Sequence, residues 1–263
     1  MALIGYGAIG QIVAGALRDR SGLTLVGVLT RERSANRVAA ELGPCVRVTV
    51  GATELLALQP DIVVECAGHA ALHEHGEALL RGGVDLLIAS VGALADQALE
   101  DRLRAAADSC GSRILISAGA LAGLDALGAA RRAGLDMVEY VGRKTPQAWR
   151  DTRAAELVDL DRVTAPTVFF EGSARQAALE FPQNANVVAA VALAGLGFDR
   201  TRVRLIVDPG EARNQHSVHA SGAFGELSTN VVARTLATNP KTSMLAPWSL
   251  VRALDHLVDT VAA

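Results

Sequence analysis

Short apolar runs alternate with longer amphipathic segments through the first half of the chain. The apolar runs predict strands at residues 3–4, 23–29, 45–50, 62–66, 85–90 and 113–117. Apolar residues at helical spacing predict helices between them, at 11–18, 35–42, 53–58, 70–81 and 95–110. Because parallel strands need a crossover of helix length, this alternation indicates a parallel sheet with right-handed connections.

The pattern changes after about residue 134. Strand-length runs now follow one another, at 136–144, 165–171, 202–207, 215–221 and 225–232, and helical spacing appears at 172–180, 184–196 and 246–261. Strands joined by short turns indicate a mixed or antiparallel sheet. We therefore predict an α/β domain over residues 1–134 and a smaller α+β domain with a mixed sheet over 135–245. We expect the closing helix, at about 246–261, to pack back on the first domain.

The turn after the first predicted strand is rich in glycine. It contains Gly5, Gly7, Ala8, Ile9 and Gly10, and it begins the first predicted helix. In a G-x-G-x-x-G turn the glycines permit a tight bend, close approach of a pyrophosphate, and packing of the helix on the strand. This context predicts a Rossmann-type doubly wound sheet in which these five residues bind NAD or NADP. A glycine-rich turn without a ligand is the alternative.

The end of the second predicted strand bears on the choice of cofactor. An NAD-specific fold usually places an acid there for the ribose hydroxyls, but this chain has Thr30 followed by Arg31. A cation suits the 2′-phosphate of NADP, so we predict that Arg31 contacts the cofactor and that NAD or NADP is accepted. Arg33 carries the same charge two residues later, and the alternative that both arginines are only solvated stays open.

Composition and charge exclude several classes of function. The chain of 263 residues carries a formal net charge of −3 and no long basic run, so nothing favours binding to nucleic acid. Three cysteines at unrelated spacings argue against disulfides and a zinc cluster, and we expect no metal and a cytoplasmic location. No apolar run reaches the roughly 18 residues of a membrane span, so we expect no membrane partner.

One segment of the second domain alternates as a half-buried strand does. Between Asn214 and Ser221, the residues His216, Val218 and Ala220 share the apolar face, which we expect to point inward. An inward histidine is a candidate acid/base group, because imidazole titrates near neutral pH. A histidine that only fills the core is the alternative.

Five motifs together resemble those of the L-aspartate dehydrogenase family. They are Ile4-Gly5-Tyr6-Gly7-Ala8-Ile9-Gly10, Ser117-Ala118-Gly119-Ala120-Leu121-Ala122-Gly123-Leu124-Asp125, Phe181-Pro182-Gln183-Asn184-Ala185-Asn186-Val187, Asn214-Gln215-His216 and Asn239-Pro240-Lys241-Thr242-Ser243. Many dehydrogenases share the first motif, whereas the asparagine-containing segment and the last turn are more specific. The resemblance extends over nearly the whole chain.

This resemblance implies the oxidation of L-aspartate by NAD or NADP to iminoaspartate, which hydrolyses to oxaloacetate and ammonia, and the reverse reaction. It implies that His216 is the acid/base group and that Ala120 and Asn186 contact the cofactor. It also implies a homodimer and a contribution to NAD biosynthesis. The two carboxylates of the substrate require cationic or amide donors. The candidates for those donors are Lys144, Lys241 and Arg143.

Two other functions stay open. Another two-domain NAD(P)-dependent oxidoreductase would share the glycine turn. However, the sugar-oxidising group has a Glu-Lys-Pro pattern where this chain has Ser90-Val91-Gly92. A catalytically silent NAD(P)-binding sensor would keep the turn and lack the acid/base group, so the presence of His216 favours an enzyme.

Overall fold

The computed structural model describes residues 1–18 and 20–261, except for the side chains of residues 240 and 241. Its strands are β1 (Ala2–Ile4), β2 (Gly27–Leu29), β3 (Arg47–Thr49), β4 (Ile62–Glu65), β5 (Asp85–Ile88), β6 (Ile114–Ile116), β7 (Leu135–Lys144), β8 (Thr167–Ser173), β9 (Arg202–Val207), β10 (Asn214–Gly222), β11 (Gly225–Ala233), β12 (Thr235–Leu236) and β13 (Asn239–Ser243). Its helices are α1 (Ala8–Ala16), α2 (Glu32–Leu42), α3 (Ala52–Leu56), α4 (His69–Arg81), α5 (Gln97–Cys110), α6 (Leu124–Ala133), α7 (Pro146–Trp149), α8 (Ala154–Leu157), α9 (Ala174–Glu180), α10 (Ala185–Ala194) and α11 (Leu245–Val258), with a 3₁₀ helix at Val91–Ala95.

The chain folds into two compact units. The first consists of residues 1–119 together with the chain from Ala246 onward, and the second spans Ala120–Leu245. In the described part of the first unit, six parallel strands form one sheet in the order β3-β2-β1-β4-β5-β6. Strands β1 and β4 are buried along their whole length, as expected when helices cover both faces of a parallel sheet. This order confirms the predicted doubly wound Rossmann-type sheet.

The last helix completes a hydrophobic core of the first unit. Leu250 and Leu254 of α11 are fully buried in one cluster with Val13 of α1, Leu3 of β1 and Val64 of β4. Burying a leucine side chain stabilises a fold by about 1.5–3 kcal/mol. The two leucines lie four residues apart, so they share one face of the helix, and that face fixes α11 to the sheet.

The second unit contains a mixed sheet, as predicted. Its five strands, within the described residues, have the order β11-β10-β7-β9-β8. Strand β7 runs parallel to β9, whereas the remaining neighbours are antiparallel. Helix α10 packs on α6 and α9, and these two helices pack on the sheet, α6 on β7 and β10 and α9 on β8 and β9.

The structure differs from the sequence-based expectations at several places. We expected a division after residue 134, but the units divide after Gly119, because α6 packs against α10, β7 and β10 of the second unit. We expected a polar turn at residues 239–243, but this segment forms strand β13, which pairs with β12. Helices α6, α7 and α8 were not predicted from the sequence.

Three further features bear on the function. No helix in residues 1–18 and 20–261 has the length and apolar character needed to cross a bilayer. No group of three or more His, Cys, Asp or Glu side chains in the same residues is arranged to hold a metal ion. Cys45, Cys66 and Cys110 are all free thiols.

Candidate functional site

The glycine turn of the first unit has the geometry that a pyrophosphate site requires. Gly5 has a φ of +88°, and a Cβ atom there would lie 2.8 Å from the Cβ of Ala67. A Cβ atom on Gly10 would lie 2.4 Å from the carbonyl oxygen of Gly5. At Gly7, by contrast, no described atom beyond its chain neighbours lies within 4 Å of the Cβ position. Two glycines are thus needed for packing, and the third leaves open space above the backbone.

Helix α1 begins directly after this open glycine. Ala8 and Ile9 form its first turn, where a side-chain cap is absent because the N-cap residue is Gly7. Ile9 packs against the core, so this residue can reach a phosphate only through its backbone N–H group. Uncapped N–H groups and the positive end of the helix dipole favour an anion at this position.

A cleft of about 620 Å³ lies beside the turn, within the first unit. The turn and the strand ends contribute Gly5, Tyr6, Gly7, Thr30, Arg31 and Cys66 to its lining. The volume and the open glycine fit a dinucleotide. Burial raises the pKa of the Cys66 thiol well above its ordinary value, so this cysteine lines the cleft as an uncharged side chain.

The predicted cation lies at the end of the cleft where the ribose of a dinucleotide is expected. Arg31 occupies the N-cap position of α2, and it is exposed. Ser34 and Arg37 of the same helix also line the cleft, as does Glu32. The end of the cleft therefore offers two cations and one carboxylate. The prediction from the strand end considered only the arginines and missed the acid Glu32, which follows Arg31 directly.

A buried carboxylate connects the loops below the cleft. Glu65, at the end of β4, is fully buried, and its Oε1 atom accepts hydrogen bonds from the backbone N–H groups of Ala67 and Gly68 at 2.6 and 2.7 Å. Its Oε2 atom accepts a hydrogen bond from the N–H group of Ser90 at 2.9 Å. These bonds tie the end of β4 to the end of β5. Sequence reasoning missed this role, because Glu65 looks like a polar interruption of an apolar run.

In the second unit, the predicted acid/base residue is buried beside a tyrosine. His216 is 6% exposed, and its Nδ1 atom lies 2.7 Å from the hydroxyl oxygen of Tyr140, which is fully buried. In the pairing of β10 with β7, His216 lies opposite Gly142, so Tyr140 is its diagonal neighbour on the same face. The expectation that His216 points inward therefore agrees with its burial, whereas its partner Tyr140 was not found from the sequence.

Burial and a nearby cation keep His216 neutral. Loss of solvent, and secondly the charge of Lys144, lower the pKa of its imidazole to about 4. Burial raises the pKa of the Tyr140 phenol, so the hydroxyl keeps its proton. At neutral pH the site therefore holds an uncharged imidazole and an uncharged phenol.

Lys144 lies two residues beyond Gly142 on the same face of β7. It is 8% exposed, and its Nζ atom lies 4.7 Å from the centre of the Trp149 ring. Burial lowers the pKa of this amine to about 8. The face of that indole ring stabilises the charge by a cation–π interaction. Arg143, the neighbouring candidate, is engaged differently, since its Nη1 atom donates to Asp208 at 2.7 Å.

The remaining predicted site residues have different surroundings. Ala120 is buried at the start of the second unit, and Asn186 is exposed in the first turn of α10. Asn184 is the N-cap residue of α10, yet its side chain makes no capping bond. The side chain of Lys241 lies outside the described residues.

Comparisons with known proteins relate both units to dehydrogenases. The family model of the aspartate dehydrogenase C-terminal domain matches residues 125–257, and that of the homoserine dehydrogenase NAD-binding domain matches residues 5–117. An L-aspartate dehydrogenase of Ralstonia nicotianae is 46% identical over 264 residues, which cover 100% of this chain and 98% of the relative. One of Pseudomonas aeruginosa is 45% identical, with 97% and 96% covered. The crystal structure of an aspartate dehydrogenase from Thermotoga maritima is similar with a TM-score of 0.76 and 25% identity, and 99% of this chain and 97% of that chain are covered.

Proposed function

Since this chain belongs to the aspartate dehydrogenase family, we propose that it oxidises L-aspartate with NAD or NADP to iminoaspartate, which hydrolyses to oxaloacetate and ammonia. The same site would catalyse the reverse reductive amination. The observation that carries this proposal is the buried neutral imidazole of His216 with the cation Lys144 on one sheet face, in a chain similar over its full length to L-aspartate dehydrogenases.

We assign binding of the cofactor's pyrophosphate to the first unit. The open backbone at Gly7, the packed glycines Gly5 and Gly10, and the N–H groups of Ala8 and Ile9 would hold the pyrophosphate. NAD or NADP, when bound, supplies the acceptor for the hydride that leaves the substrate Cα. The resemblance to the family supports Ala120 and Asn186 as further cofactor contacts.

The far end of the cleft supports dual use of the two cofactors. Arg31 and Arg37 would attract the 2′-phosphate of NADP, whereas Glu32 would accept hydrogen bonds from the 2′- and 3′-hydroxyls of NAD. We therefore propose that the chain accepts both cofactors.

We assign the proton transfers to His216. The substrate amine must be neutral when the hydride leaves, and a water molecule must then lose a proton as it adds to the imine. A neutral imidazole with one nitrogen free can accept either proton. The Nδ1 atom is engaged by Tyr140, so Nε2 is the nitrogen left for the substrate.

We propose that Lys144 binds a carboxylate of the substrate. A buried ammonium group that has no carboxylate partner among the described residues gains a strong charge-assisted hydrogen bond when a dianionic ligand arrives. Lys241 stays a second candidate for the same task. This role explains why a charged side chain is kept in an interior position.

We further propose a cytoplasmic homodimer that contributes to NAD biosynthesis. This proposal is supported by the resemblance to the family and by the free cysteines, which suit a reducing compartment. Light scattering of the purified chain would test the dimer, and a mass of one protomer, 27.3 kDa, would contradict it.

The proposed reaction can be tested by following NADH and NADPH absorbance with a set of substrates. We expect L-aspartate to reduce NAD or NADP, and oxaloacetate with ammonia to oxidise NADH or NADPH. Other amino acids and 2-hydroxy acids serve as controls and should give little or no change. The proposal would be contradicted if L-aspartate did not reduce NAD or NADP and oxaloacetate with ammonia did not oxidise NADH or NADPH.

A further inference from the structure

The hydroxyl of Tyr140 forms a hydrogen bond with one of the two ring nitrogen atoms of His216. The distance of 2.7 Å from Tyr140 Oη to His216 Nδ1 is that of a well-formed hydrogen bond, and both residues are buried. Within the described residues, no other hydrogen-bond partner of this hydroxyl or of this ring is present. Among those residues the ring is therefore held by a single hydrogen bond.

A glycine makes this contact possible. Gly142 lies directly opposite His216 in the strand pairing, where most residues would place a side chain between the two rings. A Cβ atom at Gly142 would lie 3.0 Å from Tyr140 Oη and 3.1 Å from Cδ2 of Leu205. The hydroxyl of Tyr140 thus fills the space that the missing side chain leaves and reaches His216 diagonally across the strands.

A hydroxyl differs from the carboxylate that often orients a catalytic histidine. It carries no negative charge, so it stabilises an imidazolium less than a carboxylate does, and it can donate to a bare Nδ1 atom or accept from an Nδ1–H group. It therefore fixes the ring orientation in either tautomer. The neutral imidazole of the structure agrees with this environment.

We propose that Tyr140 is a positioning residue that holds the His216 ring in one orientation, with Nδ1 bound to its hydroxyl, so that Nε2 alone meets the substrate. This inference rests on the proposed function for its kinetic part, since His216 is the proposed acid/base group. Its structural part, the hydrogen bond at Nδ1, is independent of which substrate is used.

The test is a Tyr140→Phe variant studied by ¹⁵N NMR of the histidine rings in the full chain. The chain has six histidines, and a His216→Ala variant identifies the signals of His216. We expect the ¹⁵N signal of His216 Nδ1 to shift in Tyr140→Phe, because phenylalanine gives Nδ1 no hydrogen-bond partner. An unchanged Nδ1 signal in the variant would overturn the proposal whether or not L-aspartate is the substrate.

Kinetics provide the second measurement. In Tyr140→Phe, kcat with L-aspartate should fall roughly 10-fold, while KM changes by less than about twofold, because a bond to the acid/base group is lost and substrate contacts are kept. The Gly142→Ala variant should shift the same Nδ1 signal with the hydroxyl still present, because the added Cβ atom displaces that hydroxyl. Retention of the wild-type Nδ1 signal and kcat in both folded variants would contradict the positioning role.

A matched control is available at His219, which lies on the opposite face of β10 from His216. Ser228 Oγ lies 3.1 Å from His219 Nδ1, which is also a hydroxyl–imidazole pair but an exposed one. The Ser228→Ala variant should leave kcat and the His216 signals unchanged. Thermal unfolding of each variant separates loss of the fold from loss of the hydrogen bond at Nδ1.

Discussion

The two units place their functional groups in different ways. In the first unit the glycine turn is local, since Gly5, Gly7 and Gly10 lie within six residues that follow β1 and begin α1. In the second unit the candidate catalytic pair is assembled from β7 and β10, and Tyr140 and His216 are 76 positions apart in the chain. A local site can be predicted from spacing alone, whereas an assembled site depends on strand register.

The largest expected effect comes from breaking the assembled site at its centre. A His216→Ala variant should lower kcat by roughly 10²–10⁴, the usual contribution of acid/base catalysis, because it removes the group that exchanges protons. NADH binding, measured by fluorescence titration, should stay unchanged, since the phosphate turn belongs to the first unit. His219→Ala, three residues away on the other face, is the control with wild-type kcat. Wild-type turnover in the His216 variant would remove this residue from the mechanism.

The same contrast explains which features the sequence predicts and which it does not. The parallel and mixed sheets, the glycine turn and the inward direction of His216 follow from periodicity and spacing. Tyr140 was missed because an aromatic residue in a buried strand is usually core. Only the strand register, which places Gly142 opposite His216, shows that the hydroxyl of Tyr140 reaches the imidazole. The division after Gly119 was missed because α6, which packs on β7 and β10, was not predicted as a helix.

The next largest effect is expected from replacing the buried cation of the assembled site, Lys144. In a Lys144→Met variant, kcat/KM for L-aspartate should fall roughly 10- to 100-fold, because a charge-assisted hydrogen bond to the substrate is lost. Arg202→Met, a substitution of an exposed cation in the same sheet, is the control with unchanged kcat/KM. Unchanged kcat/KM in the Lys144 variant would contradict the proposed contact.

The same variant should be more stable than the wild type at pH 7. Burial lowers the pKa of Lys144 from 10.5 to about 8, so keeping this amine charged in the folded state costs at most about 3 kcal/mol. Between pH 8 and 10.5 the unfolded chain retains the proton that the folded chain has lost, so the unfolding free energy of the wild type rises with pH in that window. The excess stability of Lys144→Met should therefore shrink there. Urea unfolding at pH 7 and pH 10 measures both effects, and a variant less stable at pH 7 would contradict this account.

The local site can be tested with two glycines of one helix. A Gly10→Ala variant brings a Cβ atom to 2.4 Å from the carbonyl oxygen of Gly5, so the turn must shift. We expect the affinity for NADH to fall roughly 10-fold and the unfolding free energy to fall by about 1–3 kcal/mol. Gly15→Ala, also in α1, meets no described atom within 4 Å and should stabilise the chain by about 0.5–1 kcal/mol. Equal effects of the two substitutions would contradict the packing argument.

The smallest expected effect concerns the choice between the two cofactors at the edge of the local site. Arg31 lines the cleft but is exposed, so its ion pair with a 2′-phosphate is worth only about 1 kcal/mol. An Arg31→Gln variant should therefore raise the Kd for NADPH about fivefold and leave the Kd for NADH nearly unchanged. Arg33→Gln should have a smaller effect on NADPH, since Arg33 is exposed and lies further along α2. If Arg31→Gln raised the Kd for NADPH and for NADH equally, the arginine would contact a part that the two cofactors share. Glu32 would then be the residue that discriminates between them.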